Sequence, residues 1–347
     1  MNSKFLRVYK NEPALIVGII LLLITSLLML NSLASYLFPQ YFIYIVIAIM
    51  SFIIFSHIDF DILSLFSKHF YVICLVFLIL PLIIGQATRG VIRWIPIGSF
   101  AFQPTELVRP FLIVFFSNFI LEKKINLKRL ILIGVLAFIP LFLILIQPSL
   151  GVTTITSFAI FGIFLSSDFD KRKIFGAIGI ILLISPLLWF VMQDYQKTRI
   201  LGIFGTGYNR IQSIIAVGSG QISGRGLGEG IQTQLAFLPE KHTDFIFASI
   251  AEEFGFFGTT LIVLVTFFIL YRLIKIAEVA KNREARAFVA GVFLSMFIQI
   301  FVHMGMNMGI MPITGLPLPL VSAGGSSLIA TMTTLGMVIN AKRHLNV

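Results

Sequence analysis

Uncharged apolar runs of about 20 residues, the length a helix needs to cross a bilayer, recur along this chain from end to end. Soluble domains carry about a quarter charged residues, whereas here 12% are charged and 58% apolar. Run lengths, with charged or Pro/Gly-rich interruptions between them, predict an all-α polytopic integral membrane protein, a single transmembrane domain over residues 1–347 with about ten transmembrane helices. The spans fall near 13–35, 40–57, 66–84, 104–121, 129–146, 151–167, 173–192, 244–271, 286–309 and 319–340. A long outer loop, Gln193 to Thr243, separates the seventh span from the eighth, and a shorter outer segment, Gln86 to Gln103, separates the third from the fourth.

Lys4, Arg7 and Lys10 precede an apolar stretch from Pro13 to Ser35. That stretch is too long for a signal peptide and no small-residue cleavage site closes it, so it reads as a retained first helix. The lone cysteine, Cys74, lies within an apolar run and leaves no disulfide framework and no cysteine-rich metal site. The net charge of +11 is a matter of topology. With the amino terminus inside, the cytoplasmic segments gather 18 of the 26 Lys and Arg, among them Lys123, Lys124, Lys128, Lys171, Arg172, Lys173, Lys281 and Arg283. This is a positive-inside pattern facing anionic headgroups, with no nucleic acid needed to explain it. Both termini are then cytoplasmic. The cytoplasmic loops are too short for a nucleotide-binding domain, so any chemistry belongs to the outer face.

Polar residues that a plain bundle does not need collect on that face. Arg89 and Arg93 oppose the charge trend; they suit headgroup snorkelling beside an interfacial Trp94 or forked hydrogen bonds to phosphate. Glu106 and Arg109 are three apart on one helix face, where they can pair or face a cavity. The glycines from Gly218 to Gly230 lack the spacing of a phosphate loop or a dinucleotide fingerprint, which leaves a flexible loop or an anion nest beside Arg225. Thr243 reads as a helix cap and Asp244 as a first-turn acid of the eighth span. At about 100° per residue, Ala248, Ala251, Gly255 and Gly258 lie beneath Asp244 as a small-residue stripe. Glu252 and Glu253 sit deeper and on other faces, and need partners the sequence does not identify. His303 reads as a packing histidine, because no second ligand stands at metal-site spacing.

In order and spacing, several segments resemble the SEDS (shape, elongation, division and sporulation) family of FtsW/RodA/SpoVE proteins. They are Arg89-Gly90 with Arg93-Trp94, QPTEL from Gln103, QPSLG from Gln147, YNRIQS with GSGQISGRGLG, LPEKHTDFIFA with AEEFG, and TGLPLPLVSAGGSSL from Thr314. LPEKHTDFIFASIAEEFGFFG and MPITGLPLPL sit nearer the elongation members than the division members. The resemblance implies a peptidoglycan glycosyltransferase that polymerises lipid II into glycan strands on the outer face of the bacterial cytoplasmic membrane, with a role in cell shape. It places the family's essential aspartate on Asp244, a base for the acceptor hydroxyl. It makes Arg89, Arg93, Arg199, Arg210 and Arg225, with Glu106, Arg109, His242, Thr243 and Ser322, the candidate substrate contacts. It also implies a divalent cation, Mg or Mn, no organic cofactor, and a class B penicillin-binding protein as transpeptidase partner. Two positions depart from the family: Ser149 stands where QPDLG has Asp, and Arg109 where Lys is usual.

Two other functions share the outer arginines and the lack of a soluble domain: a lipid II flippase, and a non-catalytic scaffold for the transpeptidase. Neither needs a base at Asp244. The topology itself is testable. A reporter fused after Val347, and one between Lys275 and Arg283, should be cytoplasmic, while one near Ser223 should be outside. An outside carboxyl terminus would break the helix count.

Overall fold

The computed structural model describes residues 12–84, 86–88, 91–98, 100–170 and 207–342, with 172, 176 and 197. Apart from residue 176, the expected span 173–192 lies outside the described residues, as do Arg89 and Arg199. In chain order the helices are α1 (Pro13–Leu33), α2 (Phe38–His57), α3 (Phe60–Leu65), α4 (Ser67–Ile84), α5 (Pro104–Leu107), α6 (Arg109–Leu121) and α7 (Leu127–Ile146). There follow α8 (Leu150–Ser166), α9 (Tyr208–Ser219), α10 (Ile231–Gln234), α11 (Ile246–Glu278), α12 (Arg283–Asn307) and α13 (Gly325–Ala341). Among the described residues seven helical stretches are long and apolar enough to cross a membrane, and α8 and α13 complete the expected set outside 173–192. The chain is an α-helical, polytopic membrane protein.

Local chemistry fixes where the helices begin. Proline occupies the first turn of α1, α2, α5 and α6, where its missing N–H costs nothing. Asn126 and Asn282 cap α7 and α12 by accepting from Arg129 and Ala285 amides at 2.8 and 2.7 Å. Burial sorts the layers. The α5–α6 stretch and α12 are 72% and 67% buried, against 17% for α7 and 22% for α2, whose apolar outer faces meet lipid. Every residue of α13 from Ser326 to Ala341 is buried, which explains how a helix so rich in Thr and Ser exists at membrane depth. Its Thr333 hydroxyl lies 2.5 Å from Ser51 Oγ and its Asn340 amide donates to the Ser56 carbonyl at 2.9 Å.

Lipid is as apolar as leucine, so the helices are held by close approach. A Cβ on Gly162 would lie 2.7 Å from the Ala290 carbonyl, and one on Gly291 2.9 Å from the Ala159 carbonyl, so α8 and α12 touch backbone to backbone. At the basic end of the bundle Glu12, 1% exposed, takes ion pairs from Arg272 of α11 and from Lys342 beyond α13, the latter at 2.6 Å. This pins the start of the described chain to the ends of two helices.

Two features at the opposite end depart from the sequence reading. The segment before α5 folds as a small antiparallel sheet, β1 (Gln86–Thr88), β2 (Val91–Ile97) and β3 (Phe100–Phe102), in the order β1-β2-β3. Helix α11 is also broken: Gly255 has φ 64° and ψ −162°, a region essentially reserved for glycine. The break ends the small-residue stripe expected beneath Asp244.

The break is sealed by the glycine-rich loop. The amides of Arg225 and Gly226 donate to the Glu252 and Glu253 carbonyls at 3.0 and 3.1 Å. The carbonyls of Gln221 and Ile222 accept from Phe256 and Phe257 at 2.9 and 3.3 Å. Those four α11 groups would pair as 256 to 252 and 257 to 253 in a continuous helix, so the loop substitutes for two rungs of the ladder. Such an approach leaves no room for a Cβ at Gly224, which sits against the Glu253 carbonyl. Neither alternative expected for the loop holds: it is packed structure, and these amides are committed within the protein.

The side chains of Glu252 and Glu253 close the same region with hydrogen-bond donors. Glu252 accepts from the Gln232 and Thr233 amides at 2.8 and 3.0 Å and so caps α10. Glu253 accepts from Ser32 Oγ at 2.7 Å, from Gln234 Nε2 at 3.4 Å and from the Gly228 amide.

Replacing Gly255 with Ala should therefore destabilise the protein by about 1–3 kcal/mol or more, from the backbone conformation alone. The control is Gly134→Ala in α7, where nothing lies within 4 Å of the added Cβ, and a gain of about 0.5–1 kcal/mol is expected. Thermal unfolding in detergent checks the pair; equal midpoints would sink the account.

Candidate functional site

Five of the six motif segments reach one open cavity of about 850 Å³, counting its mouth, and YNRIQS with GSGQISGRGLG does not. Arg93 and Trp94 of β2 form one wall, Gln103 and Glu106 at α5 another. The α7–α8 turn contributes Pro148 and Ser149 and the start of α8 Gly151, and the loop from α12 to α13 contributes Thr314 to Pro317, with Ser326 and Ser327 from the start of α13. Glu240, Thr243 and Asp244 supply the last side, from the turn ahead of α11.

That turn differs from the sequence reading. Helix α11 starts at Ile246, its cap is Phe245 with no side-chain capping bond, and its first turn holds no acid. Thr243 is therefore not a helix cap; its hydroxyl donates to Glu240 Oε2 at 3.1 Å. Asp244 precedes the helix in a turn. Successive carbonyls of this turn are each taken by another segment: His242 accepts from the Ala323 amide at 2.9 Å, Thr243 from Ser322 Oγ at 2.8 Å, and Asp244 from Asn307 Nδ2 at 3.0 Å. With its backbone held elsewhere, Asp244 lines the cavity, and a Cβ added to Gly315 would come within 3.5 Å of its Oδ2. Beside it, burial lowers the pKa of the Lys241 ammonium below the ordinary lysine value, against the pull of Glu253 and Glu252. This ammonium donates to the Thr233 carbonyl.

Glu106 and Arg109 do pair. Their Oε2 and Nη1 lie 3.2 Å apart with both side chains about 95% buried, 4% and 5% exposed respectively. Only Glu106 lines the cavity. Arg109 Nη1 also donates to Gln299 Oε1 at 3.3 Å, and Gln299 Nε2 donates to the Pro317 carbonyl at 2.8 Å. The ion pair thus connects two walls of the cavity. The Gln103 amide joins α5 to the start of α13 through Ser326 Oγ at 2.9 Å.

The other expected contacts are scattered. Arg93 is on the cavity wall, with its guanidinium 5.8 Å from the Trp94 ring centroid. Arg210 of α9 donates to the Gly309 carbonyl at 3.0 Å, so it ties α9 to the end of α12. Arg225 is exposed on the glycine loop. Neither of these arginines, nor His242, is in the cavity lining, and the Ser322 hydroxyl is committed to the Thr243 carbonyl and the Leu318 amide. Among the described residues no cluster of three or more His, Cys, Asp or Glu side chains could enclose a metal ion.

Three supporting residues escaped the sequence reading as a set: Gln299, His303 and Asn307. They recur every fourth residue in an apolar helix, which puts them on one face. Each one bonds irregular backbone at the cavity: Gln299 the Pro317 carbonyl, His303 Nδ1 the Leu316 carbonyl at 2.6 Å, and Asn307 the Asp244 carbonyl. The signal was the spacing; taking His303 singly as a packing residue concealed it.

The chain has relatives among known proteins. The sequence profile of the family described as cell cycle protein, FtsW/RodA/SpoVE, matches residues 9–347. The chain is 36% identical over 288 residues to the peptidoglycan glycosyltransferase MrdB of Escherichia coli K12, covering 80% of this chain and 78% of that one. It is also 36% identical over 290 residues to a probable peptidoglycan glycosyltransferase FtsW of Francisella salina, covering 78% and 71%. Among solved structures, a chain of a peptidoglycan synthase complex that coordinates polymerization and crosslinking superimposes with a TM-score of 0.80 at 26% identity, covering 94% and 95%. The crystal structure of the Thermus thermophilus rod shape determining protein RodA matches in fold, with a TM-score of 0.72 at 24% identity over 94% of each chain. The chain belongs to the FtsW/RodA/SpoVE family.

Proposed function

We propose that the cavity beside Asp244 is where lipid-linked disaccharide is joined to a growing glycan. The chain is a peptidoglycan glycosyltransferase acting in cell-wall and cell-shape synthesis. Its donor is lipid II, a polyprenyl-pyrophosphate-linked sugar, and its acceptor is a sugar hydroxyl. In an inverting transfer the acceptor oxygen attacks the anomeric carbon as the bond from that carbon to the pyrophosphate oxygen breaks. The hydroxyl proton passes to a base and the pyrophosphate departs as an anion. Asp244 is that base, and the observation that carries the reading is its place on the wall where five of the six motif segments meet.

The departing pyrophosphate needs positive charge. Arg93 is the described guanidinium on the cavity wall. A divalent cation, Mg or Mn, would neutralise phosphate charge and would be held by one or two of the lining carboxylates Glu106, Glu240 and Asp244, with the substrate's own phosphates completing its shell. Ser149 brings no carboxylate to the cavity. We place the chain in the bacterial cytoplasmic membrane with both termini inside and the cavity facing outward, partnered by a class B penicillin-binding protein that crosslinks the product.

Asn in place of Asp244 keeps size and removes the proton acceptor. Loss of a general base typically costs about 10² to 10⁴ in rate, so Asp244→Asn should slow lipid II polymerisation by that range with expression and lipid II binding retained. A purified variant that polymerises at near the unmodified rate would favour transport or scaffolding instead. Glu106→Ala should destabilise the protein, because it leaves Arg109 without its carboxylate at membrane depth, where an unpaired charge costs about 2.5–3.5 kcal/mol. Exchanging Glu106 and Arg109 should restore part of the stability if pairing is their main task. Normal folding without activity in the exchanged protein would assign Glu106 a substrate contact.

A further inference from the structure

Asn307 ends α12 and is fully buried. Its Oδ1 accepts from the Ala248 amide at 3.0 Å, and its Nδ2 donates to the Asp244 carbonyl at 3.0 Å and to the His303 carbonyl at 2.8 Å. In a continuous α-helix the Ala248 amide and the Asp244 carbonyl bond each other. A carboxamide carries the donor and acceptor of a peptide group, so the Asn307 side chain is inserted into a single rung of the ladder. The next rung, Ser249 amide to Phe245 carbonyl at 3.0 Å, is intact. The interruption is thus confined to the turn that holds Asp244.

We propose that Asn307 is the positioning residue for Asp244: by taking both halves of the 248–244 hydrogen bond, it keeps Asp244 out of α11 and its carboxylate on the cavity wall. The proposal rests on Asp244 being the base. The His303 carbonyl takes one Nδ2 hydrogen, and the other hydrogen and Oδ1 go to the two halves of that rung. Without the amide, the two backbone groups are free to close on each other and lengthen α11, and at about 100° per residue a helical Asp244 faces elsewhere. The placement is fixed from a third side. Ser213 Oγ of α9 donates to the Asn307 carbonyl at 2.8 Å, and Arg210 holds the Gly309 carbonyl, so the end of α12 cannot shift independently of α9.

Steady-state polymerisation of lipid II by the purified full chain tests this in four proteins: unmodified, Asp244→Asn, Asn307→Asp and the double variant. Asn307→Asp keeps shape and the acceptor for Ala248 but removes the donor to the Asp244 and His303 carbonyls. A misplacement of about 1 Å can cost on the order of a hundredfold. The expected result is a fall in kcat on the order of tenfold to a hundredfold, KM within about threefold, a protein that is folded at the assay temperature with a lowered unfolding midpoint, and a double variant no slower than Asp244→Asn alone. Asn307→Asp at near the unmodified kcat, while Asp244→Asn is inactive, overturns the positioning role. So does a double variant much slower than Asp244→Asn, or a loss carried in KM. If Asp244→Asn itself stays active, the base assignment fails instead. Should Asn307→Asp not accumulate, Ser213→Ala takes its place, because it releases the Asn307 carbonyl and leaves the amide present. It must then lower kcat at constant KM, and unmodified kinetics would overturn the proposal.

Discussion

Within hydrocarbon, a peptide N–H or C=O that loses its helical partner has no water to replace it, and each one left open costs several kcal/mol. A regular helix meets that demand but presents side chains only in its fixed rotation. A site that needs a carboxylate at a chosen angle must leave the helix, and other parts of the protein must then supply the missing bonds. Here both departures are closed. The rungs lost at Gly255 go to Gln221–Gly226, and the carbonyls of His242, Thr243 and Asp244 go to Ala323, Ser322 and Asn307.

The packing follows from the same demand. The turn that carries Asp244 packs among the more buried helices α12 and α13, and among the described residues α2 and α7, which face lipid, are regular. The side chains that complete the carbonyls next to Asp244 and in the loop before α13 are uncharged amides, hydroxyls and an imidazole, while Arg210 and Lys241 take the Gly309 and Thr233 carbonyls. Formal charges occur as the Glu106–Arg109 pair, as carboxylates receiving backbone amides, or at the basic end, where Glu12 binds Arg272 and Lys342. Each buried charge thus carries its compensation with it, which is the condition for its survival at low dielectric.

The spans were legible because bilayer thickness sets their length independently of any tertiary contact. The Glu106–Arg109 pair was legible because a three-residue separation is a local property of a helix. Tertiary hydrogen bonds were not. Nothing near Asp244 in the sequence announces that Asn307 will displace its helical partner, so the local pattern of Thr243 and Asp244 reads as the start of a helix. Gly255 looked like one more small residue in a stripe, since a positive φ leaves no mark on composition. The sheet of β1 to β3 was missed because strands of three and seven residues, interrupted by Gly, carry too little periodicity to separate from an irregular loop. The imidazole of His303 shows the converse: its burial was legible, its membership of a stripe was not.

The break at Gly255 also bears on the order in which the protein can be built. Its sealing loop, Gln221–Gly226, precedes α11 in the chain, so it has left the ribosome before the two half-helices that depend on it. Asn307 comes 59 residues after Ala248, its partner in the turn, and Ser322 later still. During synthesis the lower part of α11 therefore has its permanent bonding partners at hand, while the turn carrying Asp244 waits for α12 and the loop that follows it. The turn that carries Asp244 becomes a defined shape only after the helix it precedes has been made.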